Sequence, residues 1–386
     1  MRGINMERYH LYATATFGVE SVVARELTHL GYSDTATEDG HIHFSGTVED
    51  ICRTNLWLRT AGRVFLQIGR FTAFTFDQLF EGVKALPWEE WLPENAEFPV
   101  NGNCVKSKLM SISDGQSIVK KAIVERLKSV YHRQMFPENG PRYRIDFNIH
   151  NDVVTLSIDT SGSGLHKRGY RMLTHEAPIK ETLAAAMIMI SRWSPDRALI
   201  DPFCGSGTIP IEAALIARNI APGLNREFDC QEWPQIPKRV WYDVLEEARG
   251  AIVTDKELLI QGYDISPDAI RASMHHAKLA GLEGAIHFQR MDMRDISSRY
   301  SYGFVITNPP YGQRIGEERE NSRLYKDLGI SLSKLDTWSF SIICPDPFFE
   351  KSFGRPANKK RKLYNGGIRC DDYQFFGPKP ARSLRE

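Results

Sequence analysis

Asp201-Pro202-Phe203-Cys204-Gly205-Ser206-Gly207-Thr208 is the stretch from which the rest of this 386-residue chain is read. The apolar run Ala198 to Asp201 leads into it, and Ile209 to Arg218 leaves it with helical spacing, so it is a strand-to-helix turn. Glycines at such a turn let backbone pass close to a ligand without a Cβ in the way, and the helix that follows offers unsatisfied N–H groups. A phosphate loop would need Gly-Lys-Ser/Thr; no lysine follows here, so the loop suits a carboxylate or a sugar better than a triphosphate.

Downstream, strands and helices alternate. Leu258–Tyr263, Ile286–Arg290, Gly303–Thr307 and Ser339–Cys344 read as strands; Asp268–Ala280 and Leu324–Leu335 read as helices. That order predicts an α/β domain with a mainly parallel sheet covered on both faces. Gly262-Tyr263-Asp264 closes one strand, where an acid accepts hydrogen bonds from ribose hydroxyls. Asp264 lies 57 residues beyond Gly207, against the usual spacing of roughly 20. The Pro-, Trp- and charge-rich stretch 219–250, with one extra helix, accounts for the gap. In Met291-Asp292-Met293 the carboxylate suits an adenine amino group and the thioethers its ring, with Asp295 as the rival acid.

Asn308-Pro309-Pro310-Tyr311 follows an apolar strand directly. Two prolines stiffen the backbone and offer carbonyls without N–H donors. The Asn308 side-chain oxygen and the Pro309 carbonyl can both accept from one NH2 group, and Tyr311 offers a flat face on which a base stacks. Cys204 reads as small packing: a cysteine nucleophile for pyrimidine carbon is expected beside a proline in the strand-end loop, and that loop carries Asn-Pro-Pro-Tyr instead. His275 and His276 read as helix surface.

The N-terminal part has another texture. Tyr9–Ala15 is a strand ending in a turn at Thr16-Phe17-Gly18. Gly18–Leu30 is a helix with Val19, Val22, Val23, Leu27 and Leu30 on one face. His41–Phe44 and Val64–Phe71 are strands flanking the helix Val48–Leu58. Residues 72–160 hold the helix Phe76–Ala85, the strand-like Phe98–Lys106, a long helix Gln116–Tyr131, and a hairpin of Tyr143–Ile149 and Val153–Asp159 turning at Asn151-Asp152. In the long helix Ile118, Ala122, Val124, Leu127 and Val130 are expected inward. Gly162 and Gly164 mark a linker.

Asp201 to Thr208 and Asn308 to Tyr311 resemble the motifs of class I methyltransferases acting on exocyclic amines. Gly164-Leu165-His166-Lys167-Arg168-Gly169-Tyr170-Arg171, Ala177-Pro178-Ile179-Lys180-Glu181-Thr182-Leu183-Ala184 and Ala217 to Arg226 are similar to segments of bacterial 23S rRNA guanine-N2 methyltransferases with a THUMP domain. The resemblance is specific over 164–312 and looser over 1–160. It implies a ferredoxin-like α+β domain at 1–70, an RNA-binding THUMP domain at 71–160, and a class I Rossmann-like methyltransferase domain at 165–386. S-adenosylmethionine is the cofactor it implies, held by Asp201, Phe203, Gly205, Gly207, Thr208, Asp264 and Asp292, with Lys167, Arg168 and Tyr170 either closing over it or meeting RNA. Asn308, Pro309, Pro310 and Tyr311 would grip the amine. With no second set of methyltransferase motifs read in the chain, a single modification is expected.

The partner expected is RNA, 23S rRNA first and tRNA second. Net charge is only +1, which excludes a uniformly basic nucleic-acid coat, yet local runs are basic. Residues 351–369 hold seven Lys or Arg and no acid; residues 106–144 hold nine against three acids. Lys120, Lys121, Lys128, Lys359, Lys360 and Arg361 are the expected phosphate contacts. Competing readings are a DNA adenine or protein glutamine methyltransferase, which share Asn-Pro-Pro-Tyr, and a non-catalytic RNA-binding assembly factor. Composition is that of a globular protein, 42% apolar and 25% charged. Six cysteines form no close pair, so no metal site is expected. Neither a membrane obligation nor an obligate protein partner is expected, and the expected location is cytoplasmic.

Overall fold

The computed structural model describes residues 7–38, 40–171, 179–254, 256–311 and 318–380. The chain divides into two compact units. One comprises the stretch ending at Ala15, Ala24–Leu165 and Glu227–Glu247; the other comprises Thr16–Val23, His166–Arg226 and the chain from Ala248 onward. The units interleave in sequence at both ends.

In chain order the N-terminal elements are β1 (Tyr9–Thr14), α1 (Glu20–His29), β2 (Ala36–Glu38), β3 (His41–Gly46), α2 (Val48–Trp57), β4 (Val64–Thr72), α3 (Phe76–Lys84), β5 (Val100–Val105), α4 (Ile112–Tyr131), β6 (Arg144–His150) and β7 (Val153–Asp159). The strands form one sheet in the order β2-β3-β1-β4-β7-β6-β5, antiparallel except for the β5–β6 pair. The two N-terminal segments that sequence separates therefore share a sheet. The nine-residue β4 joins them, pairing β1 along Val64–Leu66 and β7 along Phe65–Thr72, with a register shift between Gln67 and Gly69.

Two expectations change in detail. The inward face of α4 is Gly115, Val119, Ala122, Ile123 and Leu127, while Val130 is exposed. The helix also begins a turn early, where the Ser111 hydroxyl accepts from the Asp114 amide and caps it. Gly115 then faces the Phe147 ring, which a Cβ would meet at 2.7 Å, and this contact sets the rotation of the helix. Val19, Val22, Val23 and Leu27 are buried as expected, but Glu26 of α1 is buried as well. Its carboxylate accepts from the amides of Arg59 and Thr60 and from the Thr60 hydroxyl.

The C-terminal elements are α5 (Glu181–Ser191), β8 (Leu199–Asp201), α6 (Thr208–Ala217), α7 (Lys238–Gly250), β9 (Ile260–Asp264), α8 (Pro267–Leu279), β10 (His287–Arg290), β11 (Phe304–Thr307), α9 (Glu318–Leu332), β12 (Ser339–Cys344), α10 (Phe349–Phe353), β13 (Lys359–Asn365) and β14 (Ile368–Phe375). Their sheet runs β10-β9-β8-β11-β12-β14-β13. The first five strands are parallel; β14 is antiparallel to β12 and forms a hairpin with β13. Sequence periodicity misses α5 because Leu183 to Ile188 is apolar all round and buried throughout, leaving no amphipathic stripe to detect. It misses β13 because Lys359-Lys360-Arg361-Lys362 reads as a solvated charge run; these residues form the edge strand, where lysines deter pairing with another chain. Ile200, Tyr263, Val305, Tyr325, Leu328, Trp338, Phe340, Phe349 and Phe375 belong to the core cluster of this sheet and its helices.

Strand order reverses direction at β8, whose neighbours are β9 on one side and β11 on the other. Open α/β sheets bind ligands at that reversal, beyond the carboxyl ends of the strands. The loops after β8, β9, β10 and β11 are the four that carry the sequence motifs.

Candidate active site

Asp201 ends β8 and is buried, 1% exposed. Its Oδ1 accepts from the Phe203 amide at 3.1 Å and from the Thr307 hydroxyl at 2.6 Å, so one carboxylate ties the glycine loop to the end of β11. Burial pushes its pKa up to about 7, more than these hydrogen bonds bring it down. Both loop glycines have positive φ, +51° at Gly205 and +80° at Gly207. A Cβ on Gly207 would sit 3.0 Å from the Ser273 Cβ, whereas one on Gly205 would meet nothing within 4 Å. Gly207 thus packs the loop on α8, and Gly205 opens toward free space. Thr208 begins α6 and is buried; Phe203 is half-buried and packs against the core.

Asp264 completes the loop from β9. Its Oδ2 accepts from the Gly205 amide at 3.0 Å and its Oδ1 from the Ser266 amide at 2.8 Å. A carboxylate has about four acceptor positions, so two remain for hydroxyl donors. Asp292, after β10, accepts from the Arg294 amide and guanidinium, and this pairing holds its pKa below the ordinary value. Met293 beside it is buried and Met291 is half-buried. The rival Asp295 is exposed.

Asn308 follows β11. Its Oδ1 is buried and has no hydrogen-bond partner among the described residues. An orphaned buried acceptor costs about 1–3 kcal/mol unless something donates to it. The loop around it is held from two sides: the Tyr325 hydroxyl donates to the Pro310 carbonyl at 3.4 Å, and the Asn365 amide of β13 donates to the Tyr311 hydroxyl at 2.6 Å. Pro309 is buried, Pro310 exposed and Tyr311 half-buried; burial pushes the Tyr311 pKa up to about 12.

The neighbouring residues have specific partners of their own. Arg168 and Tyr170 are 3% and 2% exposed and converge on Glu212 of α6, with the Tyr170 hydroxyl 3.1 Å and the Arg168 Nε 3.4 Å from its Oε1. They brace the helix that leaves the glycine loop; Lys167 is exposed. Ala177 and Pro178 lie outside the described residues. His276, expected on the helix surface, is fully buried with Nδ1 3.0 Å from the Ser206 carbonyl, so it supports the glycine loop from below; His275 is exposed. The i+4 spacing of Ala272, His276 and Ala280 on the buried face of α8 is the signal that would have found it. Cys204 is buried, its thiol pKa is raised by that burial, and its Sγ lies 3.7 Å from the Ser273 hydroxyl. That is a packing residue's environment. Ser273, Thr307 and Asn365 carry no sequence signal because their partners are distant in the chain.

The basic residues are variously engaged. Lys120 donates to the Phe98 carbonyl and to Glu138 and lies 3.5 Å over the Phe98 ring; Lys128 pairs with Glu125; Lys121 is exposed. Lys360 pairs with Glu350, Lys359 is exposed, and Arg361 is turned onto Gly18 and Ser21. A surface cavity of about 930 Å³ lies between α9 and α10 and includes none of the motif residues. Among the described residues no helix is long and apolar enough to cross a membrane, and no cluster of His, Cys, Asp and Glu is suited to a metal ion.

Such a sheet, with a glycine loop beside an Asn-Pro-Pro-Tyr loop, defines a class I methyltransferase domain. The chain belongs to the RMKL-like methyltransferase family, whose domain model matches residues 168–374, preceded by matches to an RlmL ferredoxin-like domain at 10–65 and a THUMP domain at 73–159. It is 45% identical over 384 residues to YpsC of Bacillus subtilis, which carries the provisional name of RNA methyltransferase, covering 99% of this chain and 100% of that one. It is 38% identical to the ribosomal RNA large subunit methyltransferase K/L of Syntrophotalea carbinolica, covering 95% of this chain but only 54% of that one. The chain thus spans about half the length of the K/L relatives it matches. Among solved structures, a Listeria monocytogenes protein named on prediction as an N6-adenine-specific DNA methylase superposes with a TM-score of 0.93 at 47% identity, covering 97% of each chain. SMU.472, provisionally named a methyltransferase and solved with S-adenosylhomocysteine (SAH), superposes with a TM-score of 0.92 at 43% identity, covering 97% of this chain and 100% of that one.

Proposed function

We propose that this protein transfers a methyl group from S-adenosylmethionine to the exocyclic N2 amine of a guanine in RNA, with large-subunit ribosomal RNA as the substrate. The observation that carries the chemistry is the buried Oδ1 of Asn308 at the carboxyl end of β11, which has no partner among the described residues. The RNA assignment rests on the THUMP match and the names of the relatives. A DNA adenine amine would present the same NH2 to Asn308, but a THUMP domain has no evident use there.

The residues at the strand ends fit the donor. Asp264 offers acceptor positions for ribose hydroxyls, Gly205 leaves space where a side chain would intrude, and Asp292 stands at the adenine end with Met291 and Met293. S-adenosylmethionine supplies a sulfonium-activated methyl, so the protein's work is orientation and electrostatics. The Asn308 Oδ1 and the Pro309 carbonyl accept the two N–H bonds of the amine. Both acceptors favour positive charge on a nitrogen whose lone pair is otherwise drawn into the ring. The target base leaves its stack to reach them, with Tyr311 against its face. Lys121 and Lys359 are exposed for phosphate contacts.

The test is mass spectrometry of nucleosides from the rRNA and tRNA of a strain lacking the gene. Loss of N2-methylguanosine from large-subunit rRNA is expected. Loss confined to tRNA would move the substrate, and unchanged RNA in the deletion strain would overturn the reading.

A further inference from the structure

We propose that Phe17, Lys362 and Tyr364 form a stacking platform for a nucleotide neighbouring the target base; the inference rests on the reading that the substrate is RNA. Phe17 belongs by sequence to the N-terminal α+β region, yet Thr16–Val23 packs with the methyltransferase unit. Its ring is 57% exposed, so one face is open to a stacking partner. It meets Tyr364 edge-on, with centroids 5.9 Å apart at 87°, and the Lys362 ammonium lies 5.4 Å from its centroid.

The turn that presents Phe17 is fixed. Gly18 has φ +86° and runs so close to β13 that a Cβ there would lie 2.2 Å from the Lys362 carbonyl oxygen. Arg361 donates to the Gly18 carbonyl at 2.7 Å and to the Ser21 hydroxyl at 2.8 Å, and Glu20 accepts from the Gly18 amide at 2.8 Å. Arg361 is therefore a positioning residue for the Phe17 turn. The same strand continues through Tyr364 to Asn365, which holds the Tyr311 hydroxyl of the amine-gripping loop at 2.6 Å. Consecutive residues of β13 thus serve both places.

A flat exposed ring beside the Lys362 ammonium of the edge strand is complementary to a nucleotide: base on the ring, phosphate on the lysine. Stacking tolerates any base, so the platform would orient the strand without reading its sequence.

The measurement is steady-state methylation of large-subunit rRNA stripped from the deletion strain, comparing wild type, Phe17→Ala, Phe17→Trp and Lys362→Ala, with calorimetric binding of SAH as a control for folding. Phe17→Ala is expected to raise KM for RNA about tenfold, the loss of one base stack, while kcat and SAH affinity hold. Phe17→Trp should restore KM, and Lys362→Ala should raise it and flatten its salt dependence. An unchanged KM in Phe17→Ala, or a raised KM that tryptophan does not rescue, overturns the platform alone. A wild-type enzyme inactive on every RNA overturns the function reading and the platform with it.

Discussion

The Thr307 hydroxyl donates to the Asp201 carboxylate at 2.6 Å, joining the last residue of β11 to the last residue of β8. The glycine loop and the Asn-Pro-Pro-Tyr loop therefore start from one buried hydrogen bond.

Asp201 makes that bond pH-sensitive. Its folded pKa of about 7 lies above the ordinary 3.8, so the folded state holds a proton the unfolded chain has lost. Stability from this group is present below the ordinary value and falls as pH rises through about 7. Asp201→Asn removes the titration. Thermal unfolding of both proteins between about pH 5 and 8 should show the variant gaining on wild type as pH rises; a constant difference would mean the carboxyl does not titrate there.

Asn308→Ala should lower methyl transfer by about 100-fold or more while leaving SAH affinity within about twofold. Calorimetry and a tritiated-methyl assay together decide it. Equal loss of both would place Asn308 in donor binding instead.

The two loop glycines should separate structure from binding. Gly207→Ala combines φ +80° with a Cβ 3.0 Å from Ser273 and 3.2 Å from the Phe288 ring, and should lower the melting temperature as well as SAH affinity. Gly205→Ala has open space on its Cβ side; its left-handed strain costs about 1–2 kcal/mol, so its loss of SAH affinity should exceed its loss of stability. The reverse order would mean no ligand enters beside Gly205.

Glu212→Ala removes the carboxylate shared by Arg168 and Tyr170 in a fully buried place. Breaking a buried charge pair typically costs about 3–5 kcal/mol. Glu212→Gln, which keeps an acceptor for the Tyr170 hydroxyl, should cost less. Denaturant unfolding checks both; similar values would show that the charge is immaterial.

The local signals were those with a short-range cause. Gly205 and Gly207 need positive φ, Asn308-Pro309-Pro310 stiffens itself, and the period-two and helical patterns follow from which side of an element is buried. These marked the parallel sheet and four strand-end loops in advance. Signals failed where burial was complete or charge misleading. The mostly apolar α5 has no stripe, Glu26 and His276 are polar residues in core positions, and the basic β13 resembles a solvated run.

The sequence alone determined the alternation of most strands and helices, the glycine turn and the stiff Asn-Pro-Pro-Tyr loop, because each depends on backbone preferences within a few residues. Tertiary structure decided which side chains those loops lean on: Thr307 on Asp201, Arg168 and Tyr170 on Glu212, Asn365 on Tyr311, and Gly18 on the back of Lys362. These partners are separated by 42 to 344 positions. Only tertiary packing brings them within hydrogen-bond reach or van der Waals contact, and no local preference encodes that meeting.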